Sequence, residues 1–115
     1  HLGERGFATT FQDCVGVWSE TGWADIAQRF DQLVKEGRFD RNALRAFGAN
    51  AVEVRPDTQG RINVPQRLRD KVGLGRDLVV IGAITHIELW DAERWSDVDS
   101  AADAALLEAV TAPGL

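Results

Sequence analysis

The sequence predicts an α+β fold built from two related, strand-rich halves that are joined by helices. Three observations support this: a self-similarity at an offset of 72 residues, short segments in which apolar and polar residues alternate, and longer segments with apolar residues at helical spacing. The chain has 115 residues, of which 44% are hydrophobic, so it is long enough to bury one core.

The repeat is clearest in the tryptophans. Trp18 and Trp23 recur as Trp90 and Trp95, each pair separated by five positions. Other identical pairs at the same offset are Leu2 and Leu74, Gly3 and Gly75, and Asp25 and Asp97. We therefore interpret residues 1–50 as the remainder of a first unit with linker helices, 51–98 as a second unit, and 99–115 as an acidic helical tail. The repeated positions favour core tryptophans over a surface that stacks on bases.

In the first half, alternation predicts two strands over residues 6–10 and 14–18. Ser19 is the expected N-cap of a long helix that Gly37 ends, since serine side chains accept hydrogen bonds from helix amides and glycine tolerates the left-handed C-terminal position. Asp40 is the expected cap of a second helix, with Leu44 and Phe47 facing inward, that closes near Gly48.

In the second half, residues 52–54 and 62–64 predict a β-hairpin whose turn contains Pro56, Asp57 and Gly60. Pro65 then begins a short helix with Leu68 and Val72 on one face. Strands follow over 78–84 and 86–90, then a helix capped by Asp91. We expect a separate tail helix from Ser100 through Val110, ended by Pro113-Gly114.

Charge singles out the hairpin and the short helix. Residues 55–76 carry six Arg or Lys against two Asp, a net charge of +4, whereas the remainder carries −9 and the whole chain −5. This argues against non-specific coating of nucleic acid or membrane and predicts a local polyanion site. No apolar run is long enough to span a membrane. The single cysteine, Cys14, fits a reducing cytoplasm, or a fold that needs no disulfide.

Arg61 is the leading candidate for DNA contact, because its guanidinium can bind a phosphate in bidentate fashion or reach guanine O6 and N7. The structural alternative is an ion pair with Asp57 that locks the turn, and the two roles are compatible. Asp57 itself is expected to structure the turn, since a carboxylate repels phosphate. Gly60 is expected to supply a positive φ.

The remaining candidates surround Arg61. Thr58 and Gln59 form the hairpin tip, where Gln can pair with adenine in a major groove that admits a two-stranded ribbon, although a solvated turn explains them equally well. Four residues are candidates for phosphate contact that sets register, with an ordinary solvated face as the alternative: Arg55, Arg67, Arg69 and Lys71.

The sequence gives no support for an enzyme, a metal site or a cofactor. His86 stands alone between two strands, and Cys14 lacks an adjacent base. No phosphate-loop glycine pattern, nucleophile-elbow motif or acid pair occurs.

The hairpin resembles a known family. Residues 57–65 read DTQGRINVP, similar to the D-x-x-G-R-(I/L)-x-(I/L/V)-P signature of the SpoVT-AbrB superfamily. Residues 67–69, 73–74, 77–82 and 87–95 extend the similarity to the MraZ family, in which two such units stand in tandem. The resemblance covers the chain from about Leu2 to Trp95.

This resemblance implies a sequence-specific, double-stranded DNA-binding transcriptional regulator in the bacterial cytoplasm, associated with the nucleoid. It implies a repressor of the division and cell-wall gene cluster, including its own gene, that binds promoter repeats as a homo-oligomeric ring, without cofactor or membrane. In the family, D-x-x-x-R elements of both halves face DNA; here only the second, Asp57 to Arg61, is present. We expect an earlier hairpin ahead of His1, unless the first unit simply lacks one.

Two other functions are compatible with the same residues. The first is an AbrB-type antitoxin that binds DNA and neutralises a basic toxin through the acidic tail, residues 100–115. The second is a ring-forming interaction protein without DNA binding, in which the basic hairpin makes subunit contacts.

Overall fold

The computed structural model describes residues 5–59 and 61–111, and the fold is α+β, as predicted. Its elements are β1 (Gly6–Phe11), β2 (Cys14–Ser19), α1 (Glu20–Lys35), α2 (Arg41–Ala49), β3 (Val52–Val54), α3 (Gln66–Lys71), β4 (Leu78–Gly82), β5 (Ile87–Asp91) and α4 (Ala92–Thr111). The strands form one antiparallel sheet in the order β3-β1-β2-β5-β4.

The predicted helix signals in the first half are confirmed. The Ser19 hydroxyl accepts a hydrogen bond from the Gly22 amide at 3.1 Å, and Asp40 accepts one from the Asn42 amide at 2.6 Å. Gly37 ends α1 in the left-handed conformation, with φ at 72°. These caps satisfy helix-end groups that have no partner within the helix.

Side chains alternate across the sheet, so its two faces have different packing. One face carries the main core, which α3 and the segments on either side of it cover: Ala8, Val15, Val17, Val54, Leu68, Leu74 and Leu89. Both Val15 and Leu68 are fully buried. The core therefore joins strands of both hairpins to the residues that flank the predicted DNA-contacting segment.

The other face is aromatic. Trp18, 2% exposed, stacks on His86 with ring centroids 4.7 Å apart and meets Trp23 and Phe47 edge-on. Trp90 is also buried, so the predicted core role of Trp18 and Trp90 is confirmed.

A polar network extends the aromatic face across β5. Trp90 Nε1 donates to Glu88 Oε1 at 2.9 Å, and His86 Nε2 lies 2.8 Å from Glu88 Oε2. His86 therefore forms a hydrogen bond with a carboxylate and packs against Trp18, which gives this residue a structural position in the sheet.

The single cysteine is buried in the sheet, and burial raises the pKa of the Cys14 thiol to about 12. Since the thiolate is the reactive form, Cys14 is chemically inert in the folded state.

The predicted hairpin over 52–64 is wrong as a pair of strands. Val52–Val54 is a strand, but it pairs with β1, and residues 61–65 form no ladder. The physical reason is packing: Ile62 and Val64 lie against the core instead of extending a two-stranded ribbon. An isolated two-stranded ribbon is marginally stable in water, whereas β3 on β1 extends an existing sheet.

Three details of the second half also differ from the prediction. The strand expected to reach Ile84 ends at Gly82, because Ile84 adopts a left-handed φ of 69° in the loop. The Asp91 carboxylate accepts from the Gly75 amide at 2.9 Å, and among the described bonds none joins it to a helix amide. The tail helix does not start anew at Ser100, since α4 continues unbroken from Ala92.

The expected stop at Pro113-Gly114 lies outside the described residues. Within residues 5–59 and 61–111, no helix has the length and apolarity that crossing a lipid bilayer requires.

The sequence repeat has a counterpart in three dimensions. Residues 72 positions apart form the hairpins β1–β2 and β4–β5, and each hairpin leads directly into a helix. Gln12 and Ile84, at equivalent positions in the two loops, both have a positive φ, 57° and 69°. The boundaries at residues 50 and 98 stay a prediction.

Candidate nucleic-acid interface

The candidate interface centres on the basic arm, residues 55–61, which leaves the sheet after β3. Asp57 closes the arm on itself: its Oδ1 accepts from the Gln59 amide at 2.8 Å and from the Arg61 amide at 2.9 Å. The Asp57 amide in turn donates to the Arg61 carbonyl at 2.8 Å. A short aspartate side chain suits this role because it can replace backbone acceptors within a turn. The arm is therefore a compact loop rather than a ribbon.

Arg61 lies at the end of this loop, and the ion pair considered from sequence is present. Its Nε donates to Asp57 Oδ2 at 3.0 Å, while 72% of its side chain is exposed. The two Nη groups make no hydrogen bond to any described residue, so the outward edge of the guanidinium has unused donors. Arginine binds phosphate or guanine through such paired donors. The pair with Asp57 thus orients Arg61 and leaves the Nη edge of its guanidinium exposed.

The tip of the arm consists of Thr58 and Gln59, both exposed and in a turn. Their side chains make no hydrogen bond with the part of the chain that the structure describes, so their polar groups face solvent. Gly60, with its predicted positive φ, lies outside the described residues.

Helix α3 follows the arm and carries its own positive charge. Leu68 anchors it in the core at 0% exposure. Arg67 and Lys71, four apart, lie on one flank and are exposed; neither has an ion pair among the described residues, and Lys71 donates to the Asn50 side chain at 2.9 Å. Arg69 lies on the other flank, half-buried, and donates to the Gly75 carbonyl at 3.3 Å. Arg67 and Lys71 are therefore the more available charges.

The base of the arm is held by a cluster that sequence reasoning missed. Arg5 donates to Glu53 Oε1 at 2.9 Å and to Glu20 Oε1 at 2.6 Å, which ties β3 to the start of α1. Arg55 lies 3.6 Å from the same Glu53 oxygen, so part of its charge is offset. No pattern in the sequence links Arg5 to Glu53, because the strand register alone brings them together.

The arm's dependence on pH follows from Asp57. Hydrogen bonds from the amides of Arg61 and Gln59 lower the pKa of Asp57 below its ordinary 3.8. A depressed carboxyl pKa stabilises the ionised form, so the closed loop is fully present above the ordinary value and is lost only as pH falls through the lower folded value. We expect the Gln59 and Arg61 amide chemical shifts to stay constant down to about pH 4 and to move below it.

The matched control for this titration is Asp57→Asn, which keeps an acceptor oxygen but cannot ionise. Its Gln59 and Arg61 amide shifts should not titrate over the same range. A midpoint above 3.8 for the native chain would contradict the role of Asp57 as the charged clamp of the arm.

An acidic α+β domain that presents a self-closed basic arm and a basic helix has the form of a small nucleic-acid-binding regulator. A family model for MraZ proteins, a family described as antitoxin-like, matches residues 47–112. These residues include the arm, α3 and the whole β4–β5 hairpin. Because the match covers more than half of the chain, the chain belongs to the MraZ family, which is a family of transcriptional regulators.

Proposed function

We propose that this chain is a sequence-specific DNA-binding transcriptional regulator that contacts promoter repeats with the basic arm and α3. The observation that carries the proposal is the closed arm, in which Asp57 fixes Arg61 by its Nε and leaves both Nη groups exposed. Membership of the MraZ family supports the same proposed function, as does the +4 charge of residues 55–76 on a chain of net charge −5.

Within this proposal the residues have different tasks. Arg61, Thr58 and Gln59 are placed to meet base edges or the phosphates beside them, since they form the exposed end of the arm. Arg67 and Lys71 contact phosphates and fix register, whereas Arg55 and Arg69 add weaker contacts because each already has a protein partner. Asp57 shapes the loop through its hydrogen bonds to the Gln59 and Arg61 amides.

Assembly completes the proposal. One arm offers few contacts, and the acidic remainder of the chain repels DNA. A homo-oligomeric ring would bring several arms to repeated sites at once, which raises the effective concentration of each later contact. We propose that the ring represses the division and cell-wall gene cluster, its own gene included, on the nucleoid in the cytoplasm.

Fluorescence anisotropy tests the proposal directly. The chain is titrated with labelled DNA that carries several spaced repeats, with one repeat, and with a scrambled sequence, at two salt concentrations. We expect tight binding to need several repeats and to weaken with salt, with a log–log slope of about −0.9 for each phosphate contacted. Equal affinity for the repeated and scrambled DNA, or no binding by a folded and assembled chain, would refute it.

One observation favours a second candidate function. Helix α4 exposes Leu106 and Val110, 61% and 52%, on a segment with several carboxylates, as a helix that binds a basic protein would. An antitoxin would use this segment to neutralise its toxin. Deleting residues 100–115 separates the two: the regulator keeps its repeat-DNA binding, while an antitoxin loses a basic partner that the full chain retains in pull-down.

A further inference from the structure

A cavity lies between the β1–β2 turn and the two helices of the first half. Its volume is about 420 Å³, which is in the range of sites that bind small molecules. Its apolar lining consists of Phe11, Ile26, Phe30, Phe39, Ala43 and Phe47. None of the residues that line it belongs to the arm or to α3, so this phenylalanine cavity is separate from the candidate nucleic-acid interface.

The phenylalanine cavity exists because α1 and α2 cover the sheet incompletely. Helix α1 begins after Ser19 at one end of β2, and its residues Ile26 and Phe30 line the cavity together with Phe11 at the other end. Both helices have an apolar side, yet no side chain of either helix is fully buried. An apolar surface that stays accessible in a folded domain is typical of a ligand-binding groove or an interaction site.

The aromatic rings around the cavity support one another. Phe30 and Phe39 stack with ring centroids 4.9 Å apart, and Phe47 meets Phe30 edge-on at 5.0 Å. Phe11 meets Phe47 edge-on at 6.2 Å. All four rings are half-buried. Because aromatic rings prefer offset-stacked and edge-to-face contacts, this preformed wall favours a flat aromatic ligand.

One small side chain keeps the cavity open. Phe39, Ala43 and Phe47 follow one another at intervals of four residues, so they lie along one side of α2. Ala43 is exposed, whereas the two phenylalanines beside it are half-buried. A larger apolar side chain at position 43 would occupy the space between them. The width of the cavity therefore depends on Ala43.

The polar groups at the cavity select against charge. Among the described residues, those that line it include no charged side chain, and the polar ones are Thr10 and Gln12. A charged ligand would lose hydration there without gaining a partner. Gln12 has a φ of 57°, at a turn position that hairpins usually give to Gly or Asn. Its side-chain amide makes no hydrogen bond with the described part of the chain, so it is available to one polar group of a ligand.

We propose that the phenylalanine cavity binds a small, uncharged aromatic molecule of one or two rings that carries one polar group. The phenylalanine rings contact the faces and edges of the ligand, Ala43 leaves room for it, and the Gln12 amide bonds its polar group. This site goes beyond the proposed regulatory function and does not depend on it.

Isothermal titration calorimetry of the full chain tests the site, with 2-naphthol as the probe and 2-naphthoate as the charged comparison. We expect one molecule of 2-naphthol to bind per chain, with a Kd between about 10 µM and 1 mM, as suits a ligand of roughly ten non-hydrogen atoms. Binding of 2-naphthoate should be at least about tenfold weaker, because its carboxylate loses hydration without a cationic partner.

Variants of the chain locate the binding. Ala43→Leu should abolish it by filling the cavity, with a Tm equal to or above that of the native chain. Ala46→Leu is the matched control, since it makes the same change at an exposed position of α2 outside the cavity and should retain binding. Gln12→Gly suits the turn but removes the amide, and it should weaken binding by about twofold to tenfold, the effect of one neutral hydrogen bond.

The proposal fails if the folded native chain does not bind 2-naphthol, if 2-naphthoate binds as tightly, or if the Ala43→Leu chain binds as the native chain does. It also fails if Ala43→Leu lowers the oligomeric mass in sedimentation velocity while Ala46→Leu leaves it unchanged, since a second copy of the chain would then occupy the cavity. None of these readouts involves DNA, so the site and the proposed regulatory function stand or fall separately.

Discussion

Replacing Trp18 with alanine is expected to lower the free energy of unfolding by about 3–5 kcal/mol, the usual cost of removing a large buried aromatic side chain. Trp18 is 2% exposed and fills the centre of the aromatic face. It stacks on His86 at 4.7 Å and makes edge contacts with Phe11 at 5.4 Å and Phe47 at 5.7 Å. Its removal leaves a cavity that rigid strands on both sides cannot close.

The size of this effect matters because domains of this length have a total stability of about 5–15 kcal/mol. The Trp18→Ala chain should therefore unfold at a much lower urea concentration, measured by far-ultraviolet circular dichroism. Leu106→Ala is the control: Leu106 lies on α4 and is 61% exposed, so its loss should change stability by less than about 0.5 kcal/mol. A Trp18→Ala chain within about 1 kcal/mol of the native stability would show that the aromatic face is not a packed core.

The success of sequence reasoning at Trp18 has a physical basis. A hairpin and the helix that follows it are local structures. The alternation of apolar and polar residues, the cap residues and the spacing that recurs in the repeat are therefore enough to place Trp18 on a buried strand and Ser19 at the start of a helix. The same logic found the repeat and the Asp57 turn, because each involves residues close together in the chain.

Sequence reasoning failed where distant segments meet. The partner of β3 is β1, more than 40 positions earlier, and no local pattern distinguishes this pairing from a hairpin with residues 62–64. The contact between Arg5 and Glu53 depends on that register and was therefore invisible.

The most informative single substitution at the candidate interface is Arg61→Ala. If the arm contacts DNA as proposed, affinity for repeat DNA should fall by about fivefold to 150-fold, which corresponds to roughly 1–3 kcal/mol for a paired guanidinium contact. The salt slope should become shallower by about one for each arm that loses a phosphate contact. Stability should change little, because 72% of the Arg61 side chain is exposed and its ion-pair partner among the described residues, Asp57, is itself 43% exposed.

Arg38→Ala is the matched control for this substitution. Its side chain is 71% exposed and pairs with Glu36 at 3.7 Å, so the loss of charge and exposure is the same while the position lies away from the arm. Arg61→Lys keeps the charge but removes the planar pair of donors, and an intermediate loss of affinity would assign the contact to guanidinium geometry. If Arg61→Ala and Arg38→Ala bind repeat DNA equally well in folded, assembled chains, Arg61 does not contact DNA and its pair with Asp57 serves only to shape the loop.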